Sequence, residues 1–418
     1  MKINETNRPW ILISAYDVSS GATSEGYVAF NLLKRLKQHY RIVLITRKNN
    51  RESLLHDTKA IEALRGIRIL GFDLPQWASW WKRGNRLYFP YAYLWQVCWP
   101  IALLSAKILR SKLALCHVLN FHNDSIPSLA WILNIPLVWG PINHNELASS
   151  WRRDFWPSKV RTKSWFGFFM RRLAWRVDPL LTLMKHKAAL IFSAGPWVER
   201  RLNIKGDKRI VRLSQLGVDS SIFLRTTVNS NKDLKKAKYL LIHAGRLDWI
   251  KGLDIAIEAL ILLPTDFHLL LVGKGPAEQS LCELVEEKGL SSRVTFMPPV
   301  PREKLSEIYK QALLFLFPSA ESGGLAWIEA LASGLSVVGF NEETFLGCNG
   351  YMLPGVYLAT YGHDRKSSAQ AVAAIVLSCA RGQQDAQLIS SHALNMFGWD
   401  VIANKIIENY RTLLHLSE

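Results

Sequence analysis

Glu321 and Glu329 stand eight positions apart around a glycine pair, in PSAESGGLAWIEALASG from Pro318 to Gly334. An apolar run, LLFLFPS, comes before the pair and a helical pattern, LAWIEALASG, comes after it. ESGG is therefore expected as a strand-to-helix turn at the carboxyl edge of a sheet. Glycines there let backbone come close to a ligand, and the N–H groups and dipole of a helix start attract an anion. Carboxylates only accept hydrogen bonds, whereas sugar hydroxyls donate them. Acids on both sides of an anion site suit a phosphate that carries sugars on either side. The same residues also fit a plain glycine turn with Glu329 on a solvated face. A second stretch, HAGRLDWIKGLDIAIEAL, sets Arg246 just after an apolar strand and Lys251 just before a helix, beside Gly245 and Gly252. Two cations there can pair with a diphosphate, although each alone also fits a surface charge. LLLVGKGP ends a further strand in Gly273 and Gly275.

Such turns need strands and helices in alternation, and both halves of the chain supply them. WILISAY, RIVLIT, LALCHVL, IPLVWG and AALIFSA are the apolar runs of the first half, with the amphipathic YVAFNLLKRLKQHY among them. YLLIHAG, FHLLLVG, RVTFM, LLFLFPS and SVVGF are those of the second. Runs this continuous suit parallel strands covered on both faces. The expected fold is α/β: two doubly wound, Rossmann-like domains facing a central cleft, with ligands at the carboxyl ends of strands. FGWDVIANKIIENYRTLL puts Trp399, Ile402, Ile406 and Tyr410 on one face, which predicts a helix docking back on a domain.

Composition sets the boundaries. A chain of 418 residues exceeds one ordinary core. Lys and Arg outnumber Asp and Glu 35 to 14 through Arg225, but stand at 17 to 20 beyond it, and 13 of the 16 tryptophans lie in the first part. Polar TTVNSNKDLKKAK follows as a linker. Residues 1–225 are thus the expected first domain, 226–395 the second and 396–418 the docking helix. Five cysteines with no C-x-x-C pair suit a reducing cytosol and argue against disulfides and a thiolate metal site. Trp10 to Ile13 is too short for a signal peptide. Leu87 to Ala106 is uncharged and near spanning length, but Pro90, Pro100 and Gln96 interrupt it, so a buried helix is expected.

Several motifs in order resemble the retaining glycosyltransferases of family 4, which have the GT-B fold. HAGRLDWIKGLD resembles their Gly-Arg-Leu signature with its following Lys-Gly, LLLVGKGPAEQSL their Val-Gly-x-Gly-Pro turn, and PSAESGGLAWIEALASGLSVV their E-x7-E region. RVTFMPPVPREKLSEIYKQA, LSQLGVDSSIF and FGWDVIANKIIENY resemble further segments, so that nearly everything from Ala188 onward fits. The resemblance implies that Arg246 and Lys251 bind the diphosphate of a nucleotide-sugar donor and stabilise the leaving charge. It implies that Glu329 holds the ribose, that Glu321 contacts the transferred sugar, and that Gly245, Gly273 and the backbone of Ser322, Gly323, Gly324 and Leu325 line the donor. No metal and no separate cofactor is implied, and transfer by same-face attack needs no carboxylate nucleophile. In the first domain SSGATSEG offers Gly21 and Gly26 as glycines facing the cleft. VWGPINHNE offers His144, with Glu146, near the reacting sugar, although a loop histidine fits as well; His122 is a weaker candidate. Glu321-Ser322-Gly323-Gly324 departs from the family's Glu-Gly-Phe-Gly, MPPV around Pro298 replaces a glycine near the base, and NEETFL lacks a glycine-rich loop. The departures bear on which donor is used more than on the chemistry.

One feature belongs to this chain. WRRDFWPSKVRTKSWFGFFMRRLAWR, Trp151 to Arg176, packs eight cations and eight aromatics against Asp154 alone, and WASWWKRGNR repeats the chemistry. Tryptophans with cations suit an interfacial helix on anionic lipid. At roughly 1 kcal/mol per basic residue, several approach the ~8 kcal/mol of micromolar binding. Stacking on single-stranded nucleic acid and an ordinary core with a basic rim are the alternatives. With a transferase domain attached, the favoured expectation is an enzyme at the cytoplasmic face of a membrane. It would act on a lipid-linked glycan acceptor in cell-surface polysaccharide or lipopolysaccharide synthesis, without a nucleic-acid partner. A non-catalytic binding protein on a transferase scaffold and a sugar-nucleotide epimerase are the rival functions.

Overall fold

The computed structural model describes residues 8–21, 24–82, 84, 87–104, 112–119, 123–224, 238–321, 323–341, 345, 352–382 and 384–415. His122, Ser322, most of the NEETFL segment and all but Lys238 of the expected linker lie outside them. Two compact units are present. One comprises residues 1–144, 169–215 and 399–418, and the other residues 145–168 and 216–398. Residues 145–168, on the basic and Trp-rich side of the composition shift, thus pack with the second unit.

The first unit is built on seven strands: β1 (Trp10–Ala15), β2 (Arg41–Thr46), β3 (Arg68–Gly71), β4 (Leu113–Leu119), β5 (Leu137–Ile142), β6 (Leu190–Ser193) and β7 (Ile210–Arg212). All pairings are parallel, in the order β3-β2-β1-β4-β5-β6-β7. The order reverses between β1 and β4, which opens a crevice at the carboxyl ends of those two strands. Central strands are buried along nearly their whole length, β5 wholly, as expected of strands covered on both faces. The tryptophans of this half are in large part core: Trp95, Trp99, Trp139 and Trp197 are fully buried.

Helix Trp399–Leu413 belongs to the same unit and docks as its pattern predicts. Trp399, Ile402, Ile406 and Tyr410 are buried. The Tyr410 hydroxyl meets His117 Nδ1, whose Nε2 lies 2.7 Å from the Gly140 carbonyl, and Asp400 pairs with Arg35 at 2.6 Å. The uncharged run forms helix Tyr88–Leu104, one side of which is buried through Tyr91, Trp95 and Trp99. Tyr88, Phe89, Leu94 and Ile101 stay exposed, so it is half-buried. Among the described residues no helix is long and apolar enough to cross a membrane.

The second unit repeats the plan with β8 (Tyr239–Ala244), β9 (Phe267–Val272), β10 (Val294–Met297), β11 (Leu314–Phe317), β12 (Val337–Phe340) and β13 (Val356–Ala359). They run parallel in the order β10-β9-β8-β11-β12-β13, and the reversal falls between β8 and β11. Leu269, Leu271, Leu316 and Val338 from the sheet pack with Ile257 and Leu260 of helix Leu253–Ile261. The two motif turns that carry Arg246, Lys251 and Glu321 are therefore the loops on either side of this crevice.

Candidate functional site

Chain leaves β8 through Gly245, whose φ is 143°. Arg246 follows with its side chain 71% exposed, held by a 3.5 Å contact with Asp248. A short turn, Trp249–Lys251, then ends at Gly252 in the left-handed region, with φ 65°. A side chain at Gly252 would also place its Cβ 2.2 Å from the Pro318 carbonyl oxygen, so glycine is needed twice over. The β8 and β11 loops are laced together: Ala320 N–H donates to the Ile250 carbonyl at 2.9 Å, and Ser319 Oγ donates to it at 3.3 Å. This lacing sets Lys251 Nζ 2.6 Å from Glu321 Oε2, with both side chains largely buried. The expected phosphate-binding cation and the expected sugar-contacting carboxylate thus satisfy each other in the structure.

Close to Lys251 lies His243, fully buried against Phe315 and Phe317, with Nδ1 2.8 Å from the Leu316 carbonyl. Burial, and then the Lys251 charge, hold its pKa down at about 3, so no second cation forms beside Lys251. The glycines expected to admit a ligand have a nearer reason. A Cβ at Gly273 (φ 146°) would sit 1.9 Å from the Gly245 carbonyl oxygen, and one at Gly275 2.1 Å from that of Leu247. They let neighbouring loops touch.

Gly324 and Leu325 begin helix Leu325–Ala332, which no side chain caps. Gly323 precedes them, and a Cβ at Gly324 would meet the Phe317 ring at 2.6 Å. Glu329 does not lie on a solvated face. It is buried, and its Oε1 is 3.0 Å from Nε of Arg302, at the start of helix Arg302–Tyr309. Burial pushes its carboxyl up to about 7, against the pull of that guanidinium. Arg302 was not among the residues expected at the site. Its signal, a charged residue in PREKLSEIYK, is no different from those of its exposed neighbours.

Arg152 is a correction to the membrane-facing expectation. It is buried in the second unit, donates from Nη2 to the same Pro318 carbonyl at 2.8 Å, and lies over the Tyr361 ring at 4.6 Å. Trp151 packs on Tyr361 with 5.1 Å between centroids, and Trp156 is buried too. These residues brace the β11 loop because a guanidinium can stack on a ring while donating in its plane. Helix Ser158–Val177 differs: only Trp175 is buried, while Trp165, Phe166, Phe169, Met170, Leu173 and Val177 are exposed. At 100° per residue these six share one arc, which also holds exposed Arg176 at its C-terminal end and is bordered by exposed Arg161 and Arg172 on one side and Lys163 on the other. In the second basic segment Trp77 and Trp80 are exposed and Trp81 packs on Tyr91, while Arg83 and Arg86 lie outside the described residues.

In the first unit Gly21 is exposed after β1. Gly26 falls inside the first turn of helix Ser24–Leu36, not in the loop, where its carbonyl accepts from Ser19 N–H. His144 lies past β5, half-buried, its carbonyl accepting from Arg201 at 2.9 Å; Glu146 is exposed. His144 lines a cavity of about 250 Å³ together with Asp17, Glu25, Tyr88, Phe89 and Asn123. Among the described residues no group of three or more His, Cys, Asp and Glu could hold a metal ion.

Residues 225–377 match the family model for glycosyl transferases group 1. Over 207 residues the chain is 31% identical to the D-inositol 3-phosphate glycosyltransferase of Nocardia farcinica, covering 46% of this chain and 44% of that protein. The protein of that name from Xylanimonas cellulosilytica is 30% identical over 203 residues, 46% of this chain and 47% of its own. The chain spans about half the length of the curated relatives it matches. Sucrose-phosphate synthase from Thermosynechococcus elongatus superposes with a TM-score of 0.65 at 18% identity, covering 98% of this chain and 100% of that one. HepE of Anabaena, solved with UDP and glucose, gives 0.61 at 17%, covering 97% and 100%. At such identities these two speak to the fold alone, which is GT-B.

Proposed function

We propose that this chain, whose residues 225–377 belong to the glycosyl transferases group 1 family, is a retaining glycosyltransferase. It moves a sugar from a nucleoside-diphosphate sugar to a lipid-linked glycan acceptor at the cytoplasmic face of a membrane. The observation that carries the transferase part is the meeting of the Arg246–Lys251 turn and the Glu321 turn at the β8/β11 reversal, with Glu329 one helical turn behind. A diphosphate there brings charge that competes with Glu321 for Lys251, and Arg246 is exposed enough to close on it. Glu321, released from Lys251, becomes an acceptor for hydroxyls of the transferred sugar. Glu329, with its partner Arg302, is set to accept from ribose hydroxyls. The cations stabilise the departing diphosphate by electrostatics, so neither a metal nor a carboxylate nucleophile enters the scheme.

The membrane part rests on the exposed apolar stripe of helix Ser158–Val177 and the cations beside it. Burying rings at the headgroup level while cations meet anionic lipid is the physics of an interfacial helix. A cell-surface polysaccharide or lipopolysaccharide is the product class that fits such an enzyme. The curated relatives' names carry inositol 3-phosphate, but those matches cover under half of the chain and do not fix its acceptor. The test is nucleoside-diphosphate release from a panel of nucleotide sugars in the presence of membrane extract. Release by the native chain that falls at least about 100-fold in Glu321→Gln, with nucleotide binding kept, supports the assignment. Equal release by native and variant protein refutes it.

A further inference from the structure

The cavity in the first unit stands where its own sheet reverses. Tyr16 and Asp17 come from the end of β1, Leu119 and Asn123 from the end of β4, and Glu25 from the first turn of the intervening helix Ser24–Leu36. Crevices of this kind are where open parallel sheets take ligands. Its volume, about 250 Å³, is at the small end for a ligand site and suits a single ring.

The chemistry of its wall runs against the charge of its surroundings. The first half of the chain carries a large cationic excess, yet the described lining has two carboxylates, one imidazole and no Lys or Arg. Two guanidiniums come close, and each is held by a carboxylate outside the wall. Arg47 lies over the Tyr16 ring at 5.2 Å, pairs with Asp73 at 3.5 Å and pulls against the burial that raises Asp17. Arg201 donates to the His144 carbonyl at 2.9 Å and pairs with Asp124 at 2.9 Å. Burial, and then the Asp17 charge, push the Glu25 carboxyl up to about 7. The same wall carries the half-exposed rings of Tyr88 and Phe89, which meet at 6.1 Å, edge to face.

We propose that this cavity binds the terminal sugar of the acceptor, and that the sugar it admits is neutral or amine-bearing and carries no phosphate or carboxylate. Asp17 and Glu25 accept hydrogen bonds from hydroxyls or an amine, and Tyr88 and Phe89 cover the ring's C–H side. An anionic substituent would meet the Asp17 carboxylate, joined by that of Glu25 as it ionises around pH 7, with no described Lys or Arg on the wall, and like charges that close are disfavoured. The assignment rests on the transferase reading of the second unit for the word acceptor. The charge selection is a property of the first unit alone.

Saturation-transfer NMR on the full chain tests it, with three probes at about 10 mM: a methyl hexoside, a methyl 2-amino-2-deoxyhexoside and a hexose 6-phosphate. The expected result is binding of at least one of the first two at least about tenfold tighter than the phosphate, a gap of one factor of ten in Kd. Phe89→Ala should weaken that binding about tenfold. Asp17→Asn with Glu25→Gln should narrow the gap to within about threefold, with the melting temperature of each variant confirming that it folds. Binding of the hexose phosphate as tight as either uncharged or amine probe, binding of none of the three, or a gap unmoved by the double variant would overturn the proposal. Titration of the same samples with UDP separates the two layers. Native protein that binds UDP but shows no such sugar selection loses this inference alone, and native protein that binds no nucleoside diphosphate loses the transferase reading beneath it.

Discussion

Lys251 and Glu321 hold each other at 2.6 Å, and a diphosphate at the β8/β11 edge has to break that pair. Removing one charge-assisted contact costs about 1.5 to 3 kcal/mol, so Lys251→Ala should weaken nucleoside-diphosphate binding by roughly 10- to 100-fold. Glu321→Gln removes a competitor for Lys251. It should leave that binding intact or tighter while transfer falls, and calorimetry beside a turnover assay reads both. Glu329 behaves differently because it titrates. Its carboxyl sits at about 7 instead of 4.5, raised by burial and faced by Arg302 and Tyr309. Nucleotide affinity should therefore rise as pH goes from 6 to 8 and the carboxylate forms, and Arg302→Met should push that rise above pH 8. Stability runs the other way. The folded chain keeps a proton that the unfolded chain has released, so stability falls as pH rises from about 4.5 to 7. The span is of the order of 3 kcal/mol for a shift of this size. Glu329→Gln should flatten that fall in urea titrations across this range. The places of Glu321, Arg246 and Lys251 were legible because they are turn residues beside apolar strands, whereas for Glu329 only its position in the following helix was legible and not its burial. Arg302 was not legible, since its partner is brought to it only by packing of two helices.

The elements divide along the same line. RIVLIT and LALCHVL, read as strands from their apolar runs, are β2 and β4 to the residue. β3, β7 and β13 are not legible in the same way. Each is an edge strand of three or four residues with hardly a buried position, so no apolar run marks it. The basic, aromatic stretch from Trp151 to Arg176 reads as one feature in sequence but is two in space. Its first part braces the β11 loop through Arg152, and its second is the exposed stripe of helix Ser158–Val177. Composition cannot separate them, because a guanidinium stacked inside a protein and one facing lipid are the same letter. Arg152→Ser should accordingly cost about 1.5 to 3 kcal/mol of stability in urea unfolding, the range for losing a charged hydrogen bond. The membrane contact proposed above rests on the later residues alone. Replacing Arg161, Lys163, Arg172 and Arg176 by Ser should abolish flotation with anionic vesicles at low salt. Trp165→Ala with Phe169→Ala should instead remove the fraction that survives 1 M salt, where the Debye length is only about 3 Å and charge attraction is screened. Flotation with neutral vesicles as strong as with anionic ones would contradict the electrostatic share.

At the scale of the molecule, one parallel-sheet plan occurs twice with opposite chemistry at its two reversals. The first unit sets carboxylates and rings at the end of β1, inside a strongly basic half, whereas the second sets Arg246 and Lys251 at the end of β8, in a half whose charge is nearly balanced. The division suits a donor that is a polyanion and an acceptor end that is not. Calorimetric titration of UDP, GDP and ADP into the native chain, and into Arg246→Ala and Lys251→Ala, tests this most directly. At least one diphosphate should bind the native protein, and each variant should lose 10-fold or more of that affinity, since each removes one charge-assisted contact. Affinity unchanged in both variants, or no binding of any nucleoside diphosphate, would contradict the assignment of the β8/β11 edge as the donor site.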